Sequence, residues 1–126
     1  MKLRIKGNAL RLRLTQGEIR ALAEAGEVQE LTAFPGGGTL IYRLRSDDKI
    51  NEISVTYSGN LIEFKVPAAL AARWCGTDLV TLTGAPQSAA GPTQVVLEKD
   101  FACLAPRAGE DERDQFPHPS AGQDRC

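Results

Sequence analysis

Apolar and polar residues alternate in two stretches of the chain, and each stretch is interrupted by the dipeptide Gly-Asn. Alternation with a period of two residues predicts β-strands, and a two-residue connection beginning with glycine predicts a tight hairpin turn between them. The turns lie at Gly7-Asn8 and Gly59-Asn60. A shift of 52 positions aligns the apolar residues of the two predicted hairpins, which are Leu3, Ile5, Leu10, Leu12 and Leu14 in the first and Val55, Tyr57, Ile62, Phe64 and Val66 in the second.

Each predicted hairpin is followed by the signals of a short helix. Thr15 and Glu18 have the spacing of a capping box, and Gly26 ends the first helix. Pro67 suits the first turn of the second helix, which ends at Gly76. Further strands are predicted over residues 28–34 and 39–45 in the first half and over residues 79–83 and 93–99 in the second. The sequence therefore predicts a tandem repeat of strand, strand, helix, strand and strand, in residues 1–45 and 52–99.

The size and composition of the chain predict that the two repeats share one core. A chain of 126 residues with 42% hydrophobic residues suits one globular domain, and a single repeat cannot bury its own apolar face. We therefore expect a single domain in residues 1–104. Residues 105–126 contain acids, prolines and glycines without apolar periodicity, so we expect an irregular C-terminal arm, held to the domain by Phe101 and Phe116.

The apolar runs of the chain argue against a membrane protein. None of them approaches the ~18 residues needed to cross a bilayer, and the first residues alternate charge with aliphatic side chains instead of leading into a signal peptide. The 3 cysteines cannot all pair within the chain, so we expect free thiols. These observations predict a cytoplasmic protein that does not bind a membrane.

Part of the second repeat resembles the swapped-hairpin domain of the AbrB family. The residues that carry the resemblance are Gly59-Asn60-Leu61-Ile62, Val66-Pro67, Leu70, Gly76 and Asp78-Leu79-Val80. In that family a glycine turn, a strand ending in an aliphatic-proline pair, a short helix and a two-strand hairpin interleave with a second copy. Two copies in one chain are more similar to the MraZ arrangement. The resemblance implies a mainly β fold, a pseudo-twofold β-barrel with two short helices.

The whole chain also resembles a bacterial family that is a domain of unknown function. The similar segments are Lys6-Gly7-Asn8, residues 11–16, residues 98–104, Glu110-Asp111, Asp114, Phe116-Pro117 and Pro119. This resemblance supplies no mechanism, and we expect no cofactor.

The outward-facing positions of the first predicted hairpin hold basic side chains. We name these residues the basic face: Lys2, Arg4, Lys6, Arg11 and Arg13. The two-residue turn places Arg4 opposite Arg11 and Lys2 opposite Arg13, and like charges at opposite positions destabilise a hairpin by up to roughly 1 kcal/mol per pair. The equivalent positions of the second hairpin are Ser54, Thr56, Ser58, Glu63 and Lys65, so the fold does not require the cations. The basic face therefore predicts binding of an anion.

Three kinds of anion are candidates for this face. Nucleic acid is the first, because a basic two-stranded ribbon can lie along phosphates and AbrB-like folds are often transcription regulators by resemblance. Against it, Asn8, Asn60 and Ala71-Ala72 stand where AbrB has arginines that contact DNA. The second candidate is the chain's own carboxylates, either in the acidic C-terminal arm or at Glu24, Glu27 and Glu30. The third is an acidic protein partner.

These candidates predict a non-enzymatic binding or regulatory module whose partner is DNA or an acidic protein, as a monomer or a homo-oligomer. The alternative is a protein-interaction or antitoxin-like module. No catalytic residues are predicted. Trp74 and Cys75 end a helix in an apolar run, which is typical of core positions with a buried thiol.

A second alternative is a zinc-binding or thiol-dependent protein that uses the C-terminal arm. Its candidate ligands are Cys103, Asp114, His118 and Cys126, since thiolate and imidazole groups suit zinc. Their spacing contains no C-x-x-C pair, which argues against a structural zinc site.

Overall fold

Ten β-strands and two α-helices form the part of the chain that the computed structural model describes, residues 1–101, 114 and 116. In chain order the elements are β1 (Lys2–Lys6), β2 (Ala9–Leu14), α1 (Gln16–Ala25), β3 (Glu27–Ala33), β4 (Thr39–Asp47), β5 (Ser54–Ser58), β6 (Leu61–Pro67), α2 (Ala68–Gly76), β7 (Thr81–Gly84), β8 (Gln87–Ser88), β9 (Gly91–Pro92) and β10 (Gln94–Lys99). The fold is mainly β, as predicted. Neither α1 nor α2 is long and apolar enough to cross a membrane.

The two predicted hairpins form with the predicted registers. β1 and β2 are antiparallel, with Ile5 opposite Leu10. β5 and β6 are antiparallel, with Tyr57 opposite Ile62. Gly7, the first residue of the first turn, has a φ of 55°, a left-handed conformation that glycine adopts without a Cβ clash. Each hairpin therefore presents its alternating apolar residues on one face.

Each hairpin pairs with strands from the other half of the chain. The first sheet has the order β1-β2-β10-β7, and the second sheet has the order β5-β6-β4-β3. In both sheets the two inner strands are parallel, β2 with β10 and β6 with β4, and the outer pairs are antiparallel. The halves are therefore interleaved, and each sheet takes two strands from each half.

The predicted closure into a β-barrel is wrong. Among the described residues, no ladder of main-chain hydrogen bonds joins the first sheet to the second, so β1, β7, β5 and β3 are edge strands. The sheets meet through side chains instead: Leu12 of β2, Leu97 of β10 and Phe64 of β6 belong to one buried cluster. Because apolar side chains close the core, hydrogen bonds between the sheet edges are not needed to bury it.

Both helices contribute to this core, and the predicted signals of the first helix are confirmed. Thr15 Oγ1 accepts a hydrogen bond from Glu18 N (3.4 Å), and Glu18 Oε1 accepts one from Thr15 N (2.9 Å), which completes the capping box. Gly26 follows α1 with a φ of 81°. In α2, Trp74 is fully buried and its Nε1 donates to Val80 O at 3.0 Å. The predicted core position of Trp74 is confirmed.

Phe116 attaches the C-terminal segment to the domain. Its main-chain N donates to Asp100 O at 2.8 Å, and its ring lies edge-on to Phe101 with 5.5 Å between the centroids. Lys99 Nζ lies 5.3 Å from the centre of the same ring. Phe116 also packs against the hydrophobic core. The predicted arm, residues 105–126, lies mostly outside the described residues and stays a prediction.

Candidate functional site

The basic face lies on β1 and β2 in the register that the sequence predicts. Arg4 is opposite Arg11, and Lys2 is opposite Arg13. Arg11 is partly buried, whereas the other four side chains are exposed. The predicted crowding of like charges is therefore confirmed, and the nearby carboxylates decide how much of this charge is free.

Two carboxylates from β10 and the residues after it neutralise part of the basic face. The parallel register of β2 and β10 places Glu98 beside Arg13, and Glu98 Oε1 accepts a hydrogen bond from Arg13 Nε at 2.5 Å. The same oxygen lies 3.5 Å from Arg11 Nη1. Asp100, which is 5% exposed, has its Oδ2 3.4 Å from Lys2 Nζ. Neither acid was predicted from the sequence to belong to this site.

The glutamates predicted to compensate the basic face do not contact it, and two of them contact other cations. The three residues in question are Glu24, Glu27 and Glu30, and none of them pairs with the basic face in the described part of the chain. Glu27 Oε2 lies 3.7 Å from Arg43 Nε on the second sheet. Glu30 Oε1 lies 3.1 Å from the α-amine of Met1. The acids at 110–112 lie outside the described residues.

Arg4 and Lys6 are the two cations of the basic face that do not pair with Glu98 or Asp100. Neither forms an ion pair with any of residues 1–101, 114 and 116. With Ala9, Arg11 and Val96 they line an open cavity of about 200 Å³ on the outer surface of the first sheet. A carboxylate or phosphate bound there would form charge-assisted hydrogen bonds with the guanidinium and ammonium groups.

The outer surface of the second sheet has its charges neutralised internally. Glu63 Oε2 accepts a hydrogen bond from Arg43 Nη1 at 3.1 Å, and its Oε1 lies 3.8 Å from both Arg45 Nη2 and Lys65 Nζ. Lys65 Nζ also lies 4.0 Å from Asp47 Oδ2. Every cation in this group therefore has a carboxylate within ion-pair distance, unlike Arg4 and Lys6.

An apolar groove lies beside the basic face. Its volume is about 420 Å³, and its lining residues are Leu10, Leu40, Val55, Thr56, Tyr57 and Ile62. Tyr57 is 68% exposed, and Ile5, the cross-strand partner of Leu10, is 57% exposed. Leu10 also borders the cavity between Arg4 and Lys6. A molecule bound at this junction would meet apolar and cationic surface together.

Two partly buried side chains have shifted pKa values. Burial raises the pKa of the Cys75 thiol, and the charge of Lys99 opposes this shift. Burial also raises the pKa of Tyr42, and the carboxylates of Glu30 and Glu18 add to the increase. A raised pKa keeps the Cys75 sulfur protonated, which makes it a weak nucleophile.

The predicted zinc site lies mostly outside the described residues. Cys103, His118 and Cys126 all fall there. Asp114 is described, and its Oδ1 accepts a hydrogen bond from Gly17 N at 3.0 Å at the start of α1. Within the described segments, no group of three or more His, Cys, Asp or Glu side chains is arranged to hold a metal ion. The zinc hypothesis stays a prediction.

Comparison with known proteins identifies the family of the chain. A family model described as a family of unknown function (DUF7009) matches residues 1–120. The chain belongs to DUF7009. No curated protein and no solved structure matches it. The expected membership of a domain of unknown function is confirmed, and the function of this DUF7009 member is inferred from its basic face and apolar groove.

Proposed function

We propose that this DUF7009 chain is a non-enzymatic binding module that captures an acidic protein partner at its basic face. The proposal rests on the excess of cations there. Within the described residues, five basic side chains meet two carboxylates, and Arg4 and Lys6 border an open cavity. The second sheet has the same strand order with paired charges, so the fold itself does not need this excess.

One feature favours a protein partner over a nucleic acid. The groove that adjoins the basic face offers apolar surface that peptide side chains can fill and phosphates cannot. Exposed ion pairs such as those of Glu98 contribute only about 0–1 kcal/mol each, so an incoming carboxylate can replace them.

Duplex DNA is the second candidate ligand, because the exchange of hairpins supports an AbrB-like or MraZ-like tandem repeat. Both sheets follow one order of pairings, antiparallel, parallel and antiparallel, with hairpins from opposite halves. In a cytoplasmic regulator of that type, the ribbon of β1 and β2 would lie along the duplex. Arg4 and Arg11 stand side by side on this ribbon and would face the phosphates.

Fluorescence anisotropy with two anionic probes tests the proposal. One probe is a labelled oligoglutamate peptide and the other is a labelled DNA duplex of random sequence, each at low and high salt. We expect Arg4→Thr combined with Lys6→Ser to weaken peptide binding by about tenfold, because two charge attractions are lost. The matched control, Ser54→Glu combined with Ser58→Glu, changes the net charge equally on the second hairpin at positions that do not line the groove, and it should leave the affinity nearly unchanged.

Glu98→Gln should act in the opposite direction and raise the affinity for oligoglutamate, because it removes a competing carboxylate. If the duplex binds more tightly than the peptide and loses affinity when Arg4 and Lys6 are replaced, DNA becomes the assigned ligand. If neither probe binds, or if the control variant weakens binding as much, the basic face is not a binding surface.

A further inference from the structure

In the described part of the chain, one hydrogen-bonding edge of β1 is open. β2 lies on one side of β1, and no described strand lies on the other. In a hairpin closed by a two-residue turn, the residues that flank the turn exchange both main-chain hydrogen bonds, so Lys2, Arg4 and Lys6 direct their main-chain groups towards β2. The N–H and C=O groups of Leu3 and Ile5 consequently face the open edge.

The side chains above and below this edge differ in chemistry. Arg4 and Lys6 project on the outer side, where no described carboxylate pairs with them. Ile5 projects on the inner side and is 57% exposed, next to Leu10 of the apolar groove. A strand added to this edge would therefore have cations beside one of its faces and apolar surface beside the other.

We infer that the open edge of β1 receives an extended segment of a partner protein in which acidic and apolar residues alternate. This inference rests on the proposed function and specifies the form of the acidic partner. Side chains of the added strand that lie beside Arg4 and Lys6 are acidic, and those beside Ile5 are apolar, because the period of a strand is two. Main-chain hydrogen bonds to Leu3 and Ile5 supply affinity, and the side chains supply specificity.

Charge complementarity selects this partner over a second copy of the chain. All outward side chains of β1 are basic, namely Lys2, Arg4 and Lys6. Pairing of two β1 strands with their apolar residues on one side would thus place cations opposite cations, which is destabilising. Basic residues on an edge strand oppose self-association in this way but leave the edge open to a strand of opposite charge.

The test uses a labelled peptide of alternating glutamate and valine, and a control peptide of the same composition with the two residue types in separate blocks. We expect the alternating peptide to bind about tenfold more tightly than the block peptide. Ile5→Pro removes an outward N–H and should weaken binding of the alternating peptide by a further factor of about ten. Ile5→Ala keeps the N–H, so its loss of affinity should be the smaller of the two.

Amide hydrogen exchange in the unchanged protein gives a second measurement that does not depend on a variant folding. Binding of the alternating peptide should slow exchange at Leu3 and Ile5, whose N–H groups become hydrogen-bonded. Residues of β3, an edge strand of the second sheet that does not line the groove, should keep their exchange rates.

Two results would overturn the inference: equal affinity for the alternating and block peptides, or unchanged amide exchange at Leu3 and Ile5 in the complex. If oligoglutamate still binds, either result leaves the proposed function intact. Tighter binding of duplex DNA than of the alternating peptide would also overturn it, and would assign the surface to nucleic acid. Failure of every anionic probe to bind would overturn the proposed function itself.

Discussion

In the first sheet, Arg11 of β2 occupies the position that Glu63 of β6 occupies in the second sheet, and Glu98 of β10 stands where the second sheet has Arg45. The signs of the charges are thus reversed between equivalent sites. In the second sheet Glu63, Glu27 and Asp47 balance three cations, whereas in the first sheet Glu98 and Asp100 are outnumbered by the five cations of the basic face. The strand arrangement determines where charged side chains lie but not the sign of their charge. The sign can therefore differ between the sheets and can serve binding.

Among substitutions at equivalent positions of the two sheets, those in the buried core should have the largest effect on stability. Leu12 and Phe64 are equivalent residues of β2 and β6, and both are fully buried. Phe64→Ala should lower the free energy of unfolding by about 3–5 kcal/mol and Leu12→Ala by about 2–5 kcal/mol, because each leaves a cavity in the shared core. Urea denaturation followed by circular dichroism measures both losses. A loss of only about 0.5 kcal/mol, as at exposed positions, would exclude that sheet from the core.

The two helices give the next comparison, because α1 has a side-chain cap and α2 has none. Thr15→Ala removes the oxygen that accepts a hydrogen bond from Glu18 N and should cost about 1 kcal/mol of stability. Thr15→Ser retains such an oxygen and should preserve stability. Thermal unfolding of both variants measures the difference. Equal losses of stability in the two variants would mean that packing of the threonine methyl group, not the hydrogen bond, causes the effect.

A smaller effect of opposite sign is expected from Arg4→Thr, which gives the first hairpin the residue type of Thr56. Because it relieves the repulsion between Arg4 and Arg11, it should raise the free energy of unfolding by up to about 1 kcal/mol at low salt and by less at high salt. The reciprocal change, Thr56→Arg, introduces a cation opposite Glu63 and should not destabilise. Urea titrations at low and high salt test both variants. A loss of stability in Arg4→Thr would mean that Arg4 supports the fold.

The smallest effect concerns Cys75 of α2, which lies with Ala23 of α1 at the cavity between the helices. Because burial raises the pKa of this thiol, its alkylation by iodoacetamide should reach half of the maximal rate at a higher pH in the folded protein than in urea. By linkage, the thiol's contribution to stability is present below the unfolded pKa and is lost as pH rises through the folded pKa. Peptide mapping separates Cys75 from Cys103 and Cys126. Identical pH profiles of alkylation in the folded and unfolded protein would contradict a raised pKa of Cys75.

The local features could be predicted because each depends on residues that are close in the chain. Alternation and a two-residue turn were sufficient to place Arg4 opposite Arg11. The capping box required only Thr15 and Glu18, three residues apart. The same local rules placed the whole basic face on one surface, so the cationic half of the candidate site followed from the sequence.

The acidic half of the site depends on distant segments and was not predicted. Arg13 and Glu98 are 85 residues apart, and alternation gives neither the neighbour of β2 nor its register. A swapped hairpin would place a strand from the second half beside β2, and that is the signal from which Glu98 could have been found. The barrel prediction was wrong for a related reason, because alternation identifies strands but does not determine whether two sheet edges meet.

The exchange of hairpins also constrains how the protein folds during synthesis. β2 needs β10 as its neighbour, so the first sheet cannot close until nearly the whole domain has left the ribosome. Pairing across such a sequence separation is slow, and the apolar face of the first hairpin stays uncovered in the meantime. We expect the cations on its other face to keep the nascent hairpin from aggregating before its partner strand arrives.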